Sequence, residues 1–217
     1  MSINNNVTQM IFNHIKTNFT YKYYTKEDNT DLALDSNIVT NYDIDWSLVG
    51  VLKGDRVVIS DGINTFTSYV AEEPINSLVL EDNSEYAFTN ASITIYFLPK
   101  LYKEYAPEQI ELPYDIFTYI SRIDSVLFAN DRLYHYEFQI NLYDDNTDDT
   151  DIEATKDEYI RLFDRLCILS YNGFYCVHNR LIEDLGVKVN TDEPNSTIIL
   201  ENVITFNLII KEDLYVW

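Results

Sequence analysis

The chain has 217 residues, 46% of them apolar, which is enough to bury a core without disulfide or metal staples and unlike a disordered segment. It carries 36 acidic against 15 basic residues, a formal charge of −21, and such a field repels phosphate and disfavours general nucleic-acid binding. Two cysteines, Cys167 and Cys176, make no disulfide framework, no run approaches the ~20 apolar residues of a membrane helix, and Met1–Asn6 carries no secretory signal.

Asn4–Asn18 reads as an amphipathic helix, because Val7, Met10, Ile11, His14 and Ile15 recur at i, i+3, i+4 spacing. Phe19–Tyr24 is β-prone and Thr25–Asp31 reads as a polar loop. From Trp46 to Leu98 short β-type runs alternate with turn signals. Arg56–Ser60 and Asn64–Ala71 flank Asp61-Gly62, a strong hairpin signal because both residues tolerate positive φ. Ser77–Leu80 and Ser92–Leu98 complete a small barrel or sandwich. Pro99–Pro113, with three prolines, reads as a linker.

Tyr114–Ile123 is strand-like and Ala129-Asn130-Asp131 is a turn. Arg132–Tyr143 is the clearest strand: Tyr134, Tyr136, Phe138, Ile140 and Leu142 alternate with polar residues. Asp144–Asp151 is an acidic loop. Ile152–Leu169 reads as a helix with the stripe Tyr159, Leu162, Phe163, Leu166 and Leu169, ended by Asn172-Gly173. Phe174–Leu185 is ambiguous, Asp192–Asn195 is a turn, and Thr197–Ile210 is a long final strand with Ile204, Phe206, Leu208 and Ile210 on one face. The expected fold class is α+β: an antiparallel sheet with two packed helices, from residues 1–34 and 99–217, plus an inserted small all-β, barrel-like module at 35–98.

No constellation carries catalytic chemistry. Asp144-Asp145-Asn146-Thr147-Asp148 starts like a calcium loop, but Asp149 stands where Gly is needed and Thr155 where Glu is needed. Cys167, Cys176 and His178 lack the tight spacing of a zinc site. The five glycines are isolated, so no phosphate loop forms, and no nucleophile elbow is present. The 18 tyrosines suit half-wet protein interfaces, although low-GC codon usage enriches the same residue. The expectation is therefore a structural part without catalysis, metal or cofactor.

Leu112-Pro113-Tyr114-Asp115-Ile116-Phe117-Thr118-Tyr119 resembles the F-P-Y-I-x-Y opening strand of phage tail-completion and tail-terminator proteins. The alternating strand Tyr134–Asp144, an acidic loop, a helix from Ile152 and a long last strand follow in the family's order, and the helix Val7–Phe19 is similar to its first helix. The likeness covers about residues 1–25 and 105–217. The β insert departs from it, which leaves open a neck, collar, stopper or baseplate-adaptor role, or a host-facing binding module. The resemblance implies a virion protein made in the host cytoplasm. It would form a ring, usually a hexamer, that ends tail-tube polymerisation and joins tail to head. Its partners would be itself, the tail tube protein, the head–tail connector or stopper, and DNA passing through the lumen without specific binding, with no membrane. The candidate interface residues are Tyr134, Tyr136, Tyr143, Asp144, Asp145, Asp148 and Asp149.

Overall fold

The computed structural model describes residues 3–41, 43–72, 74, 77–107, 112–128, 131–145, 150–164, 169–192 and 197–212. The elements begin with α1 (Ile3–Asn18), β1 (Lys22–Leu32), β2 (Ile38–Asn41), the single turn α2 (Trp46–Val49), β3 (Arg56–Ser60), β4 (Thr65–Tyr69), β5 (Leu78–Val79) and β6 (Phe88–Phe97). They continue with β7 (Leu101–Lys103), β8 (Tyr114–Phe128), β9 (Asp131–Asp144), α3 (Thr150–Phe163), β10 (Ser170–Tyr171), β11 (Phe174–Asp184), β12 (Lys188–Asp192) and β13 (Thr197–Glu212). Contacts divide the chain into two compact units, Met1–Phe19 with Pro99–Trp217, and Thr20–Leu98.

The α+β expectation is overturned: the chain is mostly β, with two curled sheets and, among the described residues, only two helices longer than one turn. The difference comes from segments whose strand character is hidden locally. β1 runs through residues that read as a loop, because register shifts between Lys26, Thr30 and Leu32 break its alternation against β6. That strand belongs to the 20–98 unit. β7 lies inside the proline-rich linker and pairs in parallel with β8. Asn172 (φ 49°) and Gly173 (φ 78°) are both left-handed and turn β10 into β11. This is the two-residue hairpin that Asn-Gly favours, not a helix end; α3 has already stopped at Phe163. The expected turn at 129–130 and the one at 193–195 lie outside the described residues.

In the 20–98 unit the sheet order is β4-β3-β6-β1-β2-β5. The bridge Val70↔Leu80 and the N–H donations Ala71 to Val79 (2.9 Å) and Glu81 to Tyr69 (2.7 Å) join its two ends. Trp46, Val57, Ile59, Leu78, Leu80, Ile93 and Ile95 fill the interior. The buried Asp55 carboxylate accepts the Leu52 N–H (2.8 Å) and the Leu98 N–H (2.9 Å).

In the other unit the order is β10-β11-β13-β9-β8-β7, with β12 also on β13. β9 and β13 pair without a shift from Asp144↔Leu200 to Leu133↔Lys211. Their in-facing residues, Phe138, Ile140, Ile204, Phe206 and Leu208, are fully buried. Both helices cover this face through aromatic contacts. Phe163 of α3 meets Phe138 (5.4 Å) and Phe206 (5.4 Å), and Phe12 of α1 meets Phe117 (5.4 Å). His14 of α1 ties the two helices together by donating through Nε2 to the Leu162 carbonyl (3.2 Å), while Asn18 Nδ2 donates to its Nδ1 (3.2 Å). Burial lowers the His14 pKa, the bond to the Leu162 carbonyl raises it, and nearby Arg161 lowers it further.

Candidate functional site

The interface residues read from the sequence scatter. Tyr134 and Tyr136 are 2% and 0% exposed, so they belong to the helix-covered core and present no surface. The Tyr136 hydroxyl shares a hydrogen bond with Thr8 Oγ1 (3.1 Å), and the Tyr134 hydroxyl donates to Glu212 Oε2 (2.6 Å). Alternation alone makes an in-facing and an out-facing aromatic strand look the same. Tyr143 is half-buried on the opposite face of β9, beside Tyr114 (5.1 Å), and donates to Glu201 Oε1 (3.3 Å). Asp144 is buried and Asp145 exposed; Asp148 and Asp149 lie outside the described residues.

The thiol and imidazole candidates do not assemble. Cys176 is buried and its thiol donates to the His178 carbonyl (3.0 Å). A register shift between the two residues breaks the alternation, so His178 pairs with Ile209 while Cys176 pairs with Ile210. Cys167 lies outside the described residues. Among the described residues no three His, Cys, Asp or Glu side chains gather as metal ligands. A cleft of about 300 Å³ is lined by Asp164, His178, Asn179, Arg180 and Leu181. Asp164 Oδ1 there accepts the Leu181 N–H (3.2 Å).

Two features stand out instead. The first is a polar island under α3. Register sets Asp115 of β8 and Asn202 of β13 on either side of Leu142 of β9, and Asp144 follows two residues on, on the same face. Asp115 is 5% exposed, Asp144 4% and Asn202 1%. The fully buried Tyr159 of α3 donates its hydroxyl to Asp115 Oδ2 (2.6 Å). Burial pushes the Asp115 carboxyl up to about 7; the Tyr159 hydrogen bond opposes this, and the Asp144 charge adds to it. Burial and the adjacent Asp115 hold the Tyr159 hydroxyl well above the usual tyrosine range. The Asn202 Oδ1 and Nδ2 atoms have no hydrogen-bond partner. A catalytic acid must reach its substrate, and this pair is sealed. The sequence signal for the island was a polar residue in a slot that alternation reserves for apolar ones: Asp115 before Phe117, and Asn202 between Leu200 and Ile204.

The second feature is a pair of sheet edges. β7 covers β8 only at Asp115–Phe117, and among the described residues no strand pairs with the outer side of β8 beyond it. On the opposite side of the sheet, among the described residues, β12 pairs only with β13. Ile120 (43%) and Ile123 (64%) are exposed along β8; Leu185 (43%) and Val189 (66%) are exposed at and beside β12. Residues 118–128 hold one Arg and one Asp, and residues 185–192 hold one Lys and one Asp. In a chain of charge −21, both edges are therefore neutral stretches.

Comparison with protein-family models and with curated proteins finds no match for this chain.

Proposed function

We propose that the chain is a non-catalytic structural subunit that associates side by side into a closed ring, in the manner of the phage tail-terminator and tail-completion proteins that its terminal segments resemble. The observation that supports this reading is the pair of open edges at opposite ends of one sheet. An exposed edge offers unpaired backbone donors and acceptors to another strand. When two different patches of one subunit meet repeatedly, the contact is heterologous and closes into a ring if the rotation allows. The two edges carry no net charge, so the acidic field elsewhere does not oppose their approach. In this reading the ring sits between tail tube and head connector, and an acidic lumen lets DNA pass without retention.

Localisation within particles tests the proposal. A ring of this protein should lie between tube and connector, and its loss should give overlong tails or unjoined heads and tails. Normal joined particles after its loss would refute the reading. Retention of duplex DNA by the isolated protein at physiological salt would refute the sliding-lumen part of it.

A further inference from the structure

We propose that the outer face of β4, β3, β6 and β1 is a binding platform for a neutral polysaccharide chain. Register lines up one side chain from each strand in a single row: Tyr69, Arg56, Tyr96 and Tyr23. Val57, Val70 and Ile95, each next to one of them in the chain, are fully buried, so alternation turns the row outward. Tyr23 is 60% exposed and the other three are half-buried. The rings support one another. The Arg56 guanidinium lies 4.2 Å over the Tyr96 ring, and the Tyr23 and Tyr96 centroids are 6.1 Å apart. The next two rows start at Thr67 and Thr65 of β4 and hold only Thr, Ser and Val58. Hydroxyls pair across strands there, Thr25 with Thr94 at 3.2 Å and Ser60 with Thr65 at 3.3 Å.

Three observations choose the occupant. The first is chemistry. A pyranose ring has an apolar C–H face and a rim of hydroxyls, and an exposed tyrosine ring beside a field of Thr and Ser hydroxyls matches both. Small β-barrels take oligosaccharides on a strand face in this way. The second is charge. In a chain of charge −21 the three rows hold one basic side chain, Arg56, and no acid. A single nucleic-acid strand also stacks on aromatic rings, but it needs a positively charged groove along its backbone, which one arginine does not make. The third is size. Three strand spacings by four residue rises make a face of about 14 by 13 Å, roughly 200 Å². That is several-fold below the about 800 Å² that each partner gives to a stable protein interface. A linear sugar chain laid along the tyrosine row suits such a strip, with Tyr23 stacked on one sugar ring. The platform lies wholly in the 20–98 unit and does not depend on ring formation.

The test runs the full chain in native gels that each contain one neutral polysaccharide: hydroxyethyl cellulose, glycogen, galactomannan or glycol chitin. The charge of −21 drives migration and the polymers carry none, so a band slowed relative to serum albumin reads binding. At least one polymer is expected to retard the protein. Tyr23→Ala should weaken that binding about tenfold, and Tyr23→Phe, which keeps the ring, should stay within about twofold of wild type. Ile63→Ala, at a 90% exposed position in the β3–β4 turn and outside the rows, should bind as wild type does. Tyr23 is exposed, so its variants are expected to keep the wild-type melting temperature. If Tyr23→Ala fails to fold, Thr67→Lys, which sets a long charged chain on the same face from an exposed position, stands in for it. Free migration in all four gels overturns the proposal. So does wild-type retardation of Tyr23→Ala or its stand-in, because the sugar would then bind elsewhere. Binding of an oligo-dT strand in place of every polymer also overturns it and makes the face a nucleic-acid platform.

Discussion

Phe206→Ala tests the core of the 1–19/99–217 unit most sharply. Phe206 is fully buried at the centre of β13. Its ring stacks on Phe138 (5.3 Å, 25° between planes) and meets Phe163 of α3 at 5.4 Å. Truncating a buried Phe to Ala costs about 3–5 kcal/mol through lost transfer energy and the cavity left behind. Each aromatic contact contributes about 0.5–1.5 kcal/mol beyond area. The site cannot collapse easily, because β9 on one side and α3 above are themselves held by rings. The expected loss therefore lies in the upper half, about 4–5 kcal/mol. Ile123→Ala is the control on the same sheet: Ile123 is 64% exposed, and the expected change is within about 0.5 kcal/mol. Urea unfolding followed by far-ultraviolet circular dichroism measures both. In a Trp217→Phe background, Trp46 fluorescence follows the 20–98 unit, whose core holds Trp46. The slope against denaturant should stay constant, so that the midpoint shift reports stability. A loss below about 1 kcal/mol for Phe206→Ala, or equal losses for the two variants, would show that the covered face has been assigned wrongly.

The His14 junction predicts a pH effect. Folding holds its pKa below 6.5, so the neutral ring is the folded form. Its contribution is present above 6.5 and is lost as pH falls toward the lowered value. His14→Gln should flatten the stability profile between pH 7 and 5; an unchanged profile refutes the assignment. Replacing residues 20–98 by a short flexible linker between Phe19 and Pro99 should leave a folded protein with α1 still docked. An unfolded dichroism spectrum would show that the units depend on each other. Ile123→Lys places a charge on the open edge of β8, where lysine blocks strand addition. It should leave the melting temperature unchanged while abolishing ring assembly, and rings that persist would exclude that edge as the contact.

The elements that a local pattern defines were legible from the amino-acid sequence. The helical spacing of Val7, Met10, Ile11 and Ile15 marks the buried face of α1. Strict alternation marks β9 and β13, and Asp61-Gly62 marks the hairpin between β3 and β4, where the Asp61 carboxylate accepts the Ile63 and Asn64 N–H groups (2.8 and 2.7 Å). These features depend on residues two to four apart. The balance of the fold and the candidate site depend on pairing between distant residues. Only register shows that Lys22–Leu32 is a bulged strand on β6, that Val70 meets Leu80 to join the ends of a sheet, and that Tyr134 and Tyr136 lie beneath the helices. Asp115, Asp144, Tyr159 and Asn202 are spread over 88 positions from first to last, and each alone reads as an ordinary polar residue or helix-stripe aromatic. Three strands and a helix must pack before two carboxylates and an unpaired amide share one dry patch, since burial and mutual charge are properties of the neighbourhood and not of the residue.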